Sequence, residues 1–429
     1  MTPFGRPQRV ALAGFGTVGR AVARMLLERK GDVEVVAILN RGIDRKRVDW
    51  VDAGVLWTET FDELLPLDID IFIELIGGRS PAAEWTRRAL DTGISVVTAN
   101  KQVIAHDGAS LFALADAHGC HLRFEGSVAG GVPVIRAIES GIAGDTLTRV
   151  AGILNGTCNY ILSRMQREGV PFAEALREAQ ALGFAEADPS QDIDGLDAQA
   201  KLAILALVAL GIRTAPDRIA TRSIAGVDRV DFAYAHRLGC TIRQVAWAEH
   251  GEGTTLRAAV GPALVALDSP LAAVSGSENL VTTHGRFGGQ TTFGGRGAGG
   301  DPTAVAVVSD VIAIARGVRA LPRPPAAVAS AVSADAGLPH YIRLTVADRP
   351  GIIAALAPVF ARHAINIDAI LQEPGYPAHE RPFVVTLDAA PLAAIEAAVQ
   401  EITAFDFNVR PPLALPVLEP TAPAPGPGR

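Results

Sequence analysis

Continuous apolar runs alternate with helix-spaced apolar positions along the first third of the chain. Apolar runs typical of buried strands lie at 9–16, 33–40, 69–78, 94–101 and 121–128. Helical spacing lies between them, at 17–29, 81–93 and 108–119. This alternation predicts an α/β fold with a parallel, doubly wound sheet.

The pattern changes after about residue 145 and indicates a second, α+β region. Helical spacing recurs at 172–183, 197–211 and 303–317, and strand-like alternation at 241–250, 254–265 and 280–289. Residues 318–336 are rich in Pro, Ala and Ser, as in a linker. Residues 340–411 follow a compact βαββαβ order, and the proline-containing end from 415 is predicted to be disordered.

Composition narrows the class of protein. The 429 residues carry a net charge of −7, which gives no basic footprint for nucleic acid. The apolar stretch 202–211 is about half of the ~20 residues that a membrane span needs, so we expect no membrane segment. The N-terminus runs into a strand without a secretory apolar segment, which favours a cytoplasmic location. Three scattered cysteines indicate neither disulfides nor a zinc site.

The stretch GFGTVG, residues 14–19, follows a predicted strand and opens a predicted helix. This context favours a dinucleotide-binding turn over an ordinary glycine-rich turn. Gly14 would allow the tight turn, Gly16 a close approach of a pyrophosphate, and Gly19 close helix packing. The helix N-terminus would offer free N–H groups to the phosphates.

The end of the second strand indicates which cofactor would bind. NAD sites usually place Asp or Glu there, whereas this strand ends in Asn40 and Arg41. An arginine suits a 2′-phosphate, so NADP is favoured, with NAD as the alternative. Asn100 and Lys101 follow the fourth strand and would face the same crevice, although an ordinary polar loop explains them equally well.

Residues 183–201, GFAEADPSQDIDGLDAQAK, bring several carboxylates close to one lysine. Asp197 and Lys201 are four residues apart, on one face of a predicted helix that then becomes wholly apolar. The sequence contains only four lysines, against many arginines, which draws attention to Lys201. An amine among carboxylates can act as an acid/base, but an exposed ion pair would give the same pattern.

These motifs together resemble the homoserine dehydrogenase family over most of the chain. GFGTVG, VVTANK, GILNGTCNYIL, GFAEADPSQDIDGLDAQAK and GRGAGGDPTA stand in that family's order. Residues 340–411 resemble its regulatory ACT domain. The resemblance implies a Rossmann domain at 1–145 joined by helix 303–317, a catalytic and dimerisation domain at 146–320, a linker at 321–337, an ACT domain at 338–414 and a tail at 415–429.

The family reaction interconverts L-homoserine and L-aspartate 4-semialdehyde with NAD(P), on the route to threonine, isoleucine and methionine. The resemblance implies that Lys201 is the catalytic acid/base, oriented by Asp197, and that Glu186, Asp192 and Asp197 bind the substrate. It also assigns cofactor contacts to Thr17, Val18, Lys101, Gly183 and Gly300. The predicted cofactor site further includes Gly14, Phe15, Gly16 and Gly19 of the turn, together with Arg41 and Asn100, from the motifs above.

The resemblance implies three further properties. Sodium or another monovalent cation would be held by Glu125, Val128, Gly130 and Val132, several of them through backbone carbonyls. Threonine would be an effector at the ACT domain, although Leu387 stands where related ACT sequences often have histidine. The assembly would be a homodimer or homotetramer.

Two other classes of function remain open. A catalytically silent sensor would join a Rossmann domain to an amino-acid-binding domain, but the Asp197/Lys201 pair disfavours it. A semialdehyde enzyme with a cysteine nucleophile is disfavoured because no cysteine lies in a sequence context typical of a nucleophile. Cys158 is interpreted as a packed small residue.

Overall fold

The structure is a computed structural model that describes residues 5–318 and 326–418. The chain forms two compact units, each built from separated segments. Unit 1 comprises residues 1–150, 200–216 and 278–329, and unit 2 comprises 151–199, 217–277 and 330–429. The sequence-based domain boundaries, which follow contiguous segments, stay a prediction.

The strands and helices of the described residues alternate first and then follow an α+β order. The strands are β1 Gln8–Ala13, β2 Val33–Leu39, β3 Leu56–Thr58, β4 Ile71–Glu74, β5 Ser95–Thr98, β6 Leu122–Arg123, β7 Leu147–Ile153, β8 Ile212–Arg213, β9 Ala220–Thr221, β10 Cys240–His250, β11 Leu256–Ala266, β12 Glu278–Gly285, β13 Gly289–Arg296, β14 Ala327–Val328, β15 Val332–Ser333, β16 His340–Val346, β17 Ile367–Gln372, β18 Arg381–Leu387 and β19 Asn408–Leu418. The helices are α1 Thr17–Leu27, α2 Ala82–Asp91, α3 Lys101–Ala117, α4 Val134–Arg136, α5 Gly156–Glu168, α6 Phe172–Ala181, α7 Ser190–Ile193, α8 Leu196–Leu210, α9 Arg229–Arg237, α10 Pro270–Ala273, α11 Gly300–Ala315, α12 Ile352–Arg362 and α13 Leu392–Thr403.

Unit 1 is organised around a six-stranded sheet in the order β3-β2-β1-β4-β5-β6. Every neighbouring pair is parallel, which confirms the predicted doubly wound α/β sheet. The centres of the longer strands are apolar, as in VALA of β1 and VVAIL of β2, because helices cover both faces of such a sheet. Helix α11, distant in sequence, contributes Val307, Val311 and Ile314 to the same core as Leu12 and Val22.

Unit 2 joins the βαββαβ segment to the preceding α+β elements. Its main sheet runs β10-β11-β19-β16-β18-β17. The last strand pairs in parallel with β11, at Leu264 with Val417 and Val265 with Leu418. One face of the βαββαβ sheet packs on its own helices α12 and α13. The other face contributes Tyr341 and Val384 to a core shared with α5, α6 and α9.

Several predicted element bounds are corrected. Strand β3 has only three residues and was not predicted. The strand expected at 121–128 is limited to Leu122–Arg123, and Glu125–Ser127 forms a 3₁₀ turn. Residues 415–418, expected in the tail, belong to β19 because they pair with β11 and β16. Residues 321–325 of the linker and 419–429 of the tail lie outside the described residues.

Among the described residues, no helix combines the length and the apolarity that a membrane crossing requires.

Candidate active site

The glycine turn of unit 1 has two closely packed glycines and one open glycine. Gly14 has φ 97°, and a Cβ there would lie 2.6 Å from the Leu75 carbonyl oxygen. A Cβ on Gly19 would lie 1.9 Å from the Gly14 carbonyl oxygen. At Gly16, by contrast, no atom of the described residues other than Gly16 and its two chain neighbours lies within 4 Å of the Cβ position. Gly14 and Gly19 therefore allow the turn to form, and Gly16 leaves one face of it open to a ligand.

Phe15 supports this turn from the core side. Its ring is fully buried and meets the Trp57 ring edge-on at a centroid distance of 5.0 Å. Its backbone N–H donates to Oδ1 of Asn40 at 2.8 Å, and Nδ2 of Asn40 donates to the Arg41 carbonyl at 2.6 Å. Asn40 therefore ties the turn to the C-terminal end of β2. The exposed Arg41 follows Asn40 directly.

A buried carboxylate, Glu74, organises the ends of two neighbouring strands. Oγ1 of Thr98 donates to Oε2 of Glu74 at 2.7 Å, and the Ile76 N–H donates to Oε1 at 2.9 Å. Burial raises the pKa of Glu74 above its ordinary value. Nδ2 of Asn100 donates to the Gly78 carbonyl at 2.6 Å, and its Oδ1 caps α3. Lys101 is therefore the first residue of a capped helix rather than part of a loop.

A cavity of about 430 Å³ lies beside the glycine turn within unit 1. Its lining brings together seven of the predicted site residues: Thr17, Val18, Asn100, Lys101, Gly130, Lys201 and Gly300. A Cβ on Gly300 would lie 2.9 Å from Cγ2 of Thr17, so α11 can start here only without a side chain at that position. The space suits a ligand of small-molecule size that contacts both the turn and a lysine.

Lys201 lies on helix α8, one turn after Asp197. Beyond Lys201 the helix reads LAILALVAL, and Leu202, Ile204 and Leu205 are fully buried or nearly so. The apolar half of the helix fixes the position of the lysine, because any rotation of α8 would expose this surface to water.

Asn155 holds two carboxylates together in unit 2. Its Nδ2 donates to Oδ1 of Asp192 at 2.6 Å and to Oδ2 of Asp197 at 2.9 Å. Its Oδ1 accepts from the Cys158 N–H at 2.8 Å and caps helix α5. The amide therefore reduces the repulsion between the acids, and it gives each of them a fixed orientation.

The other acids of 183–201 have different settings. Oδ1 of Asp188 accepts from the Ser190 N–H at 3.1 Å, and hydrogen bonds from Ser190 lower the Asp188 pKa. Glu186 has an exposed side chain, whereas its carbonyl accepts from Nε2 of Gln180 at 3.1 Å. Gly183 follows α6 with φ 76° and has open space at its Cβ position. The lining of the unit 1 cavity includes none of these four predicted residues: Gly183, Glu186, Asp192 and Asp197.

The loop predicted to hold a cation is buried in unit 1. Both carboxylate oxygens of Glu125 accept backbone N–H groups, from Ile135 at 2.8 Å and from Arg136 at 2.9 Å. Burial, followed by the nearby Asp310, raises the pKa of Glu125 to about 7. The Val128 and Val132 side chains are buried and apolar, so these residues could offer a cation only their carbonyls. Gly130 has φ 53° and packs against the Gly297 carbonyl.

The donor chemistry of this loop is oxygen only, which suits a hard cation rather than a transition metal. Among the described residues, no group of three or more His, Cys, Asp or Glu could hold a metal ion. Glu125 is the one carboxylate of the four predicted ligands.

The cysteines of the chain are free and buried. The Cys158 thiol donates to the Asp192 carbonyl at 3.1 Å, and burial raises its pKa well above the ordinary value. A nucleophilic cysteine needs a lowered pKa and access, so Cys158 is a packing residue in this fold.

Three site-supporting residues were not predicted from the sequence: Glu74, Asn155 and Asp310. Glu74 and Asp310 are carboxylates within otherwise apolar runs, IFIELI and VVSDVIAI, and this was an available signal. Asn155 stands before a helical stretch, as an N-cap does, but its bonds to Asp192 and Asp197 depend on tertiary structure.

The fold has a parallel sheet with an open glycine turn, and one cavity brings this turn together with a lysine. These features define a dinucleotide-dependent oxidoreductase. Family models bear this out: homoserine dehydrogenase, NAD binding domain, matches residues 14–125, homoserine dehydrogenase matches 133–312, and the ACT domain matches 340–404. A homoserine dehydrogenase of Mycobacterium tuberculosis is 41% identical over 384 residues, covering 86% of this chain and 87% of the relative. The chain belongs to the homoserine dehydrogenase family.

Further relatives and solved structures agree. The Bacillus subtilis homoserine dehydrogenase is 35% identical and covers 85% of this chain and 88% of its own length. The crystal structure of a Thiobacillus denitrificans homoserine dehydrogenase has a TM-score of 0.87 at 34% identity, covering 96% of this chain and 99% of that chain. A hyperthermophilic archaeal homoserine dehydrogenase mutant in complex with NADPH has a TM-score of 0.64 at 27% identity, covering 74% of this chain and 100% of that chain.

Proposed function

We propose that Lys201 is the proton donor and acceptor in the NAD(P)-dependent interconversion of L-homoserine and L-aspartate 4-semialdehyde by this enzyme. The main support is that Lys201 lines the same cavity as Thr17, Asn100 and Gly300, so an amine and a dinucleotide-binding turn face one space. When bound, the nicotinamide supplies or accepts the hydride.

The chain's own groups account for the proton and for substrate orientation. In the direction of alcohol formation, the Lys201 ammonium gives its proton to the aldehyde oxygen as that oxygen becomes negative. In the reverse direction, the neutral amine takes the hydroxyl proton. Asp192 and Asp197, oriented by Asn155, would accept hydrogen bonds from the substrate ammonium, with Glu186 as a third carboxylate.

The proposed cofactor contacts come from three places in unit 1. The open face at Gly16 and the N-terminus of α1 would receive the pyrophosphate, with Thr17 and Val18 beside it. Lys101 and Asn100 would lie along the nicotinamide half, since they follow β5 at the carboxyl edge of the sheet. Arg41, exposed at the end of β2, supports NADP over NAD.

Initial rates of L-homoserine oxidation test this function, measured as NADPH formation from NADP⁺ and, side by side, as NADH formation from NAD⁺. We expect activity with both and a higher kcat/KM with NADP⁺. In Arg41→Ala this preference should fall while the NAD⁺ rate stays, and the exposed control Arg87→Ala should change neither. Absence of turnover with both cofactors between pH 7 and 10 would contradict the proposal.

Three further properties belong to the same proposal. Glu125 and the carbonyls of Val128, Gly130 and Val132 would hold a sodium or other monovalent cation, supported by their oxygen-only donor set. Threonine would act at the ACT domain as the product of a pathway this reaction serves. A homodimer or homotetramer follows from the family resemblance. Flat activity across millimolar threonine, or equal activity in sodium and tetramethylammonium salts, would remove the corresponding property.

A further inference from the structure

A second cleft in unit 1 lies at the far end of helix α11. The helix has 16 residues, from Gly300 beside Thr17 to Ala315, which places its two ends about 22 Å apart. The cleft at its C-terminal end measures about 380 Å³. Four arginines line it: Arg29, Arg123, Arg136 and Arg316. One carboxylate, that of Glu139, also lines it.

Three of these arginines are held in place by a second group. Nη2 of Arg123 donates to the Val318 carbonyl at 2.6 Å, and Nη2 of Arg136 donates to Oδ1 of the buried Asp310 at 2.7 Å. Nη2 of Arg316 lies 3.4 Å from Oδ2 of Asp32. A guanidinium has five N–H donors, so the bond from Arg136 to Asp310 and the contact between Arg316 and Asp32 each use only part of the donors of that side chain. Nε of Arg136 is buried and has no hydrogen-bond partner within the described part of the chain.

The charge of the cleft runs against that of the protein. The chain carries a net charge of −7, yet the four guanidinium groups of this cleft outnumber the three nearby carboxylates, those of Glu139, Asp32 and Asp310. Arginines near the C-terminal ends of helices compensate the helix dipole, and this accounts for Arg29 and Arg316. It does not account for Arg123, which comes from strand β6.

We propose that this arginine cleft binds a small anion that carries phosphate or carboxylate groups. The planar fork of arginine matches both groups through paired hydrogen bonds, and anchored side chains lose little freedom when they bind. The volume of about 380 Å³ fits a ligand of metabolite size. The site is separate from the cavity that contains Lys201, which shares no lining residue with it.

Calorimetric titration of the full-length protein tests the proposal. The protein is first saturated with NADPH, so that the dinucleotide site is filled, and ionic strength is held constant with NaCl. Pyrophosphate and citrate serve as the phosphate and carboxylate probes. The variant is Arg29→Gln with Arg316→Gln, since both side chains are exposed and Arg136 supports Asp310. The matched control is the exposed Arg87→Gln on α2.

We expect saturable binding of at least one probe, weakened about tenfold or more in the double variant and unchanged in Arg87→Gln. The tighter probe identifies the group that the cleft prefers. No saturable binding of either probe at millimolar concentration would overturn the proposal, and so would equal affinity in wild type and double variant. If the double variant melts at a lower temperature, the single variant Arg29→Glu, which keeps the Arg316 contact with Asp32, replaces it.

Discussion

The side-chain amide of Asn155 donates to Asp197 at 2.9 Å and to Asp192 at 2.6 Å, so one residue sets the orientation of two carboxylates. The same side chain caps α5 through its oxygen. Orientation and capping can be separated by substitution, because serine also caps helices but cannot bridge two acids.

Asn155→Ser should therefore raise the KM for L-homoserine without a large loss of stability. Hydrogen bonds to charged groups are worth about 1.5–3 kcal/mol, so we expect a rise of about tenfold or more. Steady-state kinetics and a thermal melt measure the two effects. Asn366→Ser is the control, since it removes an exposed amide–carboxylate contact, to Asp388, elsewhere in the chain. An unchanged KM in Asn155→Ser would show that this bridge does not order the substrate site.

A methyl group added at Gly16 should affect cofactor binding, whereas the same group added at Gly19 should affect stability. Gly16→Ala places a Cβ in open space, so folding should be preserved while NADPH binding weakens about tenfold or more. Gly19→Ala forces a Cβ to 1.9 Å from the Gly14 carbonyl oxygen and should lower the melting temperature sharply. Fluorescence titration with NADPH and thermal melts distinguish the two. Gly31→Ala, also in open space, is the control, and normal NADPH affinity in Gly16→Ala would contradict this role of the turn.

The buried pair of Arg343 and Asp231 connects the ACT strand β16 to helix α9. Nε of Arg343 donates to Oδ1 of Asp231 at 2.7 Å, and both side chains are almost fully buried. Arg343→Met leaves a buried carboxylate without its cation and should cost about 3–5 kcal/mol of unfolding free energy. The double variant Arg343→Met, Asp231→Leu should recover much of that loss. Urea unfolding measures both.

The control for this pair is Arg349→Met, which removes an exposed ion pair to Asp406 and should change stability by less than about 1 kcal/mol. A loss in Arg343→Met no larger than in Arg349→Met would mean that the buried pair does not couple the ACT domain to α9.

His340 predicts a loss of stability on mild acidification. His340 is 3% exposed, and its burial lowers its pKa below the ordinary value. Arg222 lowers this pKa further, whereas the Leu338 carbonyl, Asp335 and Glu396 partly oppose the shift. Between the unfolded pKa of about 6.5 and the lower folded pKa, the unfolded chain binds a proton that the folded protein does not. Stability from this residue is therefore constant above about pH 7 and falls below pH 6.5, by up to about 1.4 kcal/mol per pH unit.

His340→Gln should flatten this decline, measured as the difference in unfolding free energy between pH 7.5 and 5.5. The exposed His379→Gln is the control and should keep the wild-type slope. Identical slopes in His340→Gln and wild type would contradict the assignment.

The sequence predicted the parallel sheet well, because each strand is a continuous apolar run bounded by glycines or polar residues. Strand β3, Leu56–Thr58, escaped prediction since three residues carry no period. The helix α3 was expected to begin at 108 and begins at Lys101, where the Asn100 cap decides the start and apolar spacing does not. The end of β19 was missed because its pairing with β11 is a tertiary contact.

The candidate site was predictable in its motifs but not in its supports. Local patterns alone indicate GFGTVG, Asn100, Lys101 and Lys201, and the cavity brings Lys201 to the turn across almost 200 residues of sequence. No local pattern shows that Asn155 bridges two acids or that Glu74 binds Thr98, because those contacts depend on chain segments that meet only after folding. The arginine cleft is likewise assembled from four separated segments.

The most direct test of the central claim compares wild type with Lys201→Ala, using L-homoserine oxidation and NADPH binding together. We predict that kcat falls by about 10²–10⁴-fold while the Kd for NADPH changes little, because the lysine moves a proton and the turn binds the cofactor. Lys30→Ala, an exposed lysine of the same unit, should retain wild-type kcat. A kcat within tenfold of wild type in Lys201→Ala would contradict the assignment of Lys201 as the catalytic acid/base.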